Sequence, residues 1–177
     1  MSTTFLDNDQ IGTVATFSEL VQTEFKGKQN ALCWYRNLEG DFKEIVRQLQ
    51  LKEDITEVSP EDLLALQLSE MGNKARAIIL EDLRVLTDFG ASPSLNLLKC
   101  YERDDAFDFI ATDVYSYHVD RSPIATDTFL CTYHGAASDI IANDQAEQKI
   151  LIPEIRNKLK ALHQGPEEEF ESFLKEY

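Results

Sequence analysis

The chain has 177 residues, of which 43% are hydrophobic, 10% aromatic and 28% charged, so it can bury a core of its own and lies outside the disordered class. Its 17 basic against 32 acidic residues leave a formal net charge of -15, which argues against nucleic acid or an anionic membrane as a partner, because phosphate binding needs clustered Lys and Arg. The acidic balance is read first as a solvated surface and second as a docking face for a basic partner.

The N-terminus "MSTTFLDNDQIGTV" has neither a basic stretch nor an apolar core of the signal-peptide kind, and no apolar run approaches the roughly 18 residues that span a bilayer. Cys33, Cys100 and Cys131 are odd in number, far apart and form no CxxC, so neither a disulfide framework nor a thiolate zinc site is indicated. A soluble, cytoplasmic protein is expected.

Residues 1 to 12 read as a loose lead-in. "ATFSELVQTEF" then has helical apolar spacing with Thr16 or Ser18 as N-cap. "NALCWYRN" is short, apolar and aromatic and reads as a strand near Trp34, a residue expected in the core. "GDFKEIVRQLQL" places Phe42, Ile45, Val46 and Leu49 on one helical face behind the cap Asp41. "SPEDLLALQL" opens a helix with Ser59 as cap, Pro60 in the first turn, and Glu61 and Asp62 against the helix dipole. From Asn73 to Phe89 an apolar stripe runs through Ala77, Leu80, Leu83 and Leu86, and Gly90 ends it.

After Gly90 the texture changes. "SLNLLKCYE", "FDFIATDVYSYHV" and "ATDTFLCTYH" are rich in Phe, Tyr, Val, Ile and Thr and alternate in part as half-buried strands do. In the second of these Val114, Ser116, His118 and Asp120 would share one face. From Gln145 the pattern is helical again, through "QKILIPEIRNKLKALHQ" and "GPEEEFESFLKEY". The expected fold is α+β and a single domain over 1–177. It has a mainly helical part over 1–90, a β-rich core over 91–145 carrying a small antiparallel sheet, and C-terminal helices over 146–177 whose end at Tyr177 reads as a truncation.

Two of the chain's three histidines lie in "YHVDRSP" and "TFLCTYHG". An HxD pair on a strand sends an imidazole and a carboxylate from the same face, so both can reach one divalent metal. No GxSxG, HExxH, Walker-type loop or Rossmann glycine pattern is present. Cys131 reads as a buried structural cysteine, and the glutamates at 167 to 169 read as the acidic start of a helix.

"YHVDRSP...TFLCTYHG" with the upstream "CWYRNL" resembles an uncharacterised bacterial family of the DUF1826 type, over residues 31 to 38 and more closely over 114 to 141. Its order of HxD followed by a distal His-Arg is similar to that of the cupin-like, double-stranded β-helix oxygenases that use Fe(II) and 2-oxoglutarate. The resemblance implies His118 and Asp120 as metal ligands, Arg121 as the basic residue beside them, and a partial cupin-like sheet. It also implies Fe(II) as cofactor, 2-oxoglutarate as co-substrate and a small-molecule substrate.

The distal His-Arg has no counterpart in the 177 residues. Three readings of the third ligand stay open: it lies beyond Tyr177, His134 supplies it, or His118 and Asp120 form a hydrogen-bonded pair without metal. No catalytic residue is assigned. The competing class is a non-catalytic acidic interaction protein that binds a protein partner through its helices or a sheet edge.

Overall fold

The computed structural model describes residues 9–104, 106–120, 122 and 124–174. It divides into two compact units, one made of the chain up to Lys99 together with Thr132–Ala136, the other of Cys100–Cys131 and the chain from Ala137.

The first unit opens with β1 (Ile11–Val14), α1 (Phe17–Gln22) and β2 (Ala31–Trp34). The two strands pair in parallel, with Ile11 opposite Ala31 and Val14 opposite Trp34, and α1 supplies the crossover that a parallel pair needs. Thr16 caps α1 by accepting the Glu19 N–H at 3.1 Å. The strand at Trp34 is where the sequence places it. β1 was not expected, because only two of its four residues lie beyond the supposed lead-in.

Then come α2 (Phe42–Gln48), β3 (Ile55–Glu57), α3 (Pro60–Ala65), α4 (Glu70–Phe89) and β4 (Asn96–Leu98). Asp41 caps α2, and Ser59 with Asp62 forms a reciprocal capping box on α3. The guanidinium of Arg76 closes the other end of α3, donating to the carbonyls of Leu63 and Leu66 at 3.1 and 3.2 Å. α4 ends on Gly90, whose φ of 97° is the left-handed conformation that glycine adopts without a Cβ clash.

β3 and β4 pair antiparallel, Ile55 opposite Leu98. Phe42, Ile45, Val58, Leu63, Ala75 and Ile79 form the core of this unit. The buried face of α4 therefore runs through Gly72, Ala75 and Ile79, whereas Ala77 is exposed and Leu80, Leu83 and Leu86 are only half-buried. Trp34 is also half-buried rather than core, its ring edge covered by Phe17 and its indole N–H donating to the Ala15 carbonyl at 2.8 Å.

The second unit contains α5 (Pro153–Leu162), α6 (Phe170–Phe173) and three single-turn 3-10 helices. Ile110, Leu159, Phe170 and Leu174 make its core, with Phe107 and Phe109 packed against it. The architecture is thus mixed helix and small sheets, compatible with α+β.

The strands expected over "FDFIATDVYSYHV" and "ATDTFLCTYH" do not form. Among the described residues there is no helix or strand between Leu98 and Asn143, and the two sheets have two strands each. Local side-chain bonds explain part of this. Asp113 accepts the Tyr115 N–H at 3.0 Å, Asp104 accepts the Ala106 N–H at 3.0 Å, and the Ser116 hydroxyl takes the Asp113 carbonyl at 2.8 Å. Backbone groups bound in this way are withdrawn from a ladder. The aromatic residues that look like strand formers instead fill the second core or pack edge to face, as Tyr101 does with Tyr115. Among the described residues no helix is long and apolar enough to cross a membrane.

Candidate functional site

His118 and Asp120 lie in an irregular stretch, so no strand pleat aligns them. They still meet. The His118 Nδ1 is 2.7 Å from the Ser116 carbonyl oxygen, and Nε2 is 3.4 Å from Asp120 Oδ1. A carbonyl only accepts, so Nδ1 carries the hydrogen and the neutral ring presents its lone pair at Nε2. That lone pair faces a carboxylate oxygen, which has no hydrogen to offer. Either a proton on Nε2 or a cation between the two atoms makes the contact favourable.

The arrangement has the features of a histidine ligand, whose second nitrogen is commonly tied to a backbone carbonyl. Two atoms bound to one ion at about 2.0–2.2 Å each can lie at most about 4.3 Å apart, and 3.4 Å satisfies that limit. The side chains are 44% and 67% exposed, so water reaches the site freely. Val119 between them is turned out almost wholly into solvent, at 91% exposure.

A facial triad needs a third donor, and the described residues hold no group of three or more His, Cys, Asp or Glu side chains placed to share a metal ion. Beside such a triad the pair offers two donors, and no third stands with them among the described residues. His134 is exposed on the 132–136 segment of the first unit. His163 packs against both Phe170 and Phe173 and donates Nε2–H to the Pro166 carbonyl at 2.9 Å. Arg121 lies outside the described residues. Cys131, expected to be buried, is exposed, and the strand expected to carry it is not formed.

A second constellation was not foreseen. In the first unit the Asp82 carboxylate of α4 receives Arg36 through both guanidinium nitrogens, Nη1 to Oδ1 and Nη2 to Oδ2, each at 2.7 Å. The Tyr133 hydroxyl donates to the same Oδ2 at 2.7 Å. Arg36 lies over the Trp34 ring at 4.4 Å, and Tyr133 stacks on Phe42 at 5.6 Å with 17° between the planes. With Arg36 and Asp82 side chains only 20% and 13% exposed, the pair is stronger than a surface ion pair, and bidentate geometry fixes its orientation.

This cluster joins "CWYR" to "CTYH", two segments far apart in sequence, through an aspartate that neither contains. The signal was a charge on the buried side of a helix: Asp82 follows Ala75 and Ile79 at helical spacing.

No family model matches the chain, and no curated protein or solved structure matches it either.

Proposed function

We propose that the chain binds a divalent metal through His118 and Asp120 and is related to the Fe(II)-dependent, cupin-like oxygenases. The observation that carries the reading is the orientation of one ring: Nδ1 tied to the Ser116 carbonyl and Nε2 facing Asp120 at 3.4 Å. Fe(II) is the metal the sequence resemblance implies, and bound there it would supply oxygen activation, with 2-oxoglutarate as co-substrate and a small molecule as substrate. The residues of this chain do two things in that scheme. His118 and Asp120 hold the ion, and Ser116 fixes the tautomer that allows it. The kinship to the DUF1826-type family rests on "YHVDRSP" and "LCTYHG". Cysteine usage supports a reducing, cytoplasmic setting.

Histidine ring NMR during titration with Zn(II) tests metal binding at this pair. The expected result is a shift of the His118 ring signals, with Asp120→Asn weakening the affinity. Shifts spread equally over His118, His134 and His163 would argue against a site.

A second reading, a non-catalytic acidic interaction protein, is favoured by a separate observation. Val119, Ile124 and Leu130 are 91%, 73% and 77% exposed, and a contiguous patch of such side chains would mark a partner-binding surface. Under it, cross-linking in cell extract yields a defined product with the wild type that Val119→Asp abolishes, whereas metal content is indifferent to His118→Ala.

A further inference from the structure

Asp113 carries a carboxylate with little access to water, its side chain being 9% exposed. Both of its oxygens are engaged. Oδ1 accepts the Tyr115 N–H at 3.0 Å and Oδ2 the Asp104 N–H at 3.3 Å, with Arg103 Nη1 3.8 Å from Oδ2. An aspartate that binds the N–H two residues on opens a tight turn. The Asp113 carbonyl closes that turn by accepting the Ser116 N–H at 3.2 Å and the Ser116 hydroxyl at 2.8 Å.

Ser116 is therefore gripped through both of its donors, and its own carbonyl oxygen lies 2.7 Å from His118 Nδ1. Two acceptors compete for the single ring proton of a neutral His118. Asp120 Oδ1, 3.4 Å from Nε2, favours the proton on Nε2, which would leave no lone pair there for a metal. The shorter contact to Ser116 favours Nδ1. Where the Ser116 carbonyl points thus decides which nitrogen is free, and the turn anchored by Asp113 decides where it points.

We infer that Asp113 is a positioning residue for the His118–Asp120 pair: acting through Ser116, it holds the His118 tautomer that leaves Nε2 open. Its value to the site rests on the metal reading, whereas its test does not, because the tautomer is read without metal.

Long-range proton–nitrogen correlation NMR of the histidine rings reads that tautomer in the metal-free, full-length protein at a pH well above the imidazole range. His118 is expected as Nδ1–H in the wild type and in Asp113→Asn, whose amide oxygen still accepts the Tyr115 N–H, and mainly as Nε2–H in Asp113→Ala. His163, whose Nε2–H goes to the Pro166 carbonyl, should stay Nε2–H throughout and reports that the second unit is folded. A folded Asp113→Ala that keeps the Nδ1–H form would overturn the inference, and so would a wild type already in the Nε2–H form. If Asp113→Ala loses the His163 signal, Ser116→Ala decides, since it removes only the hydroxyl bond to the Asp113 carbonyl. A rise of the Nε2–H form is expected there, and an unchanged tautomer would overturn the role. Zn(II) added afterwards to the wild type tests the metal reading by itself, so that each can fail alone.

Discussion

Arg36 holds Asp82 through two parallel hydrogen bonds of 2.7 Å, bridging the end of β2 to the middle of α4. Removing one partner strands the other in a poorly hydrated place. Asp82→Ala is therefore expected to cost about 2 to 3 kcal/mol in urea denaturation, and Arg36→Met combined with Asp82→Leu should recover most of that loss. A double variant no more stable than Asp82→Ala would show that the pair does more than cancel its own charges.

Gly40 touches α4 closely. A Cβ placed there would lie 2.7 Å from the Ala75 backbone nitrogen and 2.8 Å from its Cα, and backbone cannot swing aside as a long side chain can. Gly40→Ala should cost about 1 to 3 kcal/mol, read as a lower thermal midpoint. An unchanged midpoint would mean that the Asp41 N–H bond to the Met71 carbonyl does not fix this approach.

The capping box gives a pH dependence. The Ser59 hydroxyl, followed by its backbone N–H, holds the Asp62 carboxyl below its usual range. A carboxyl whose folded value is depressed adds stability that is complete above the unfolded value of about 3.9 and is lost as pH falls through the lower folded value. Ser59→Ala should raise the Asp62 titration midpoint seen by carboxyl NMR and cost about 1 kcal/mol at neutral pH. A midpoint that stays put would assign the shift to something other than Ser59.

These three features differ in how plainly they stand in the sequence. Thr16, Asp41, Ser59 and Gly90 announce helix ends because a cap is a local event, settled within four residues. β3 was invisible: its Ile55 is exposed, and its one buried residue is Thr56, satisfied by the N–H groups of Lys52 and Glu53. Burial alternates from Ile55 to Val58, but Thr56 rather than Ile55 faces inward, so the apolar pattern of three residues does not mark the strand.

The stretch from Tyr101 to Ala142 misleads in the opposite direction. Its Phe, Tyr, Val and Thr content favours strands, yet Asp104 and Asp113 capture the N–H groups of Ala106 and Tyr115, and strand propensity yields to such local bonds. His118 and Asp120 come together all the same, in an irregular stretch where the Ser116 carbonyl orients the His118 ring. Asp82 was missed for a different reason: the apolar stripe was drawn through Ala77, Leu80, Leu83 and Leu86, which hid a charge on the face of Ala75 and Ile79.

The 3.4 Å contact of His118 with Asp120 is the relationship on which the functional reading turns. Elemental mass spectrometry of untagged protein incubated anaerobically with Fe(II), then freed of excess metal, tests it most directly, with His118→Ala alongside. The account predicts iron retained at close to one equivalent in the wild type and lost in His118→Ala, with both proteins equally folded. Wild type that retains no iron, or His118→Ala that retains as much, would contradict the account and leave the pair a hydrogen-bonded feature of an irregular loop.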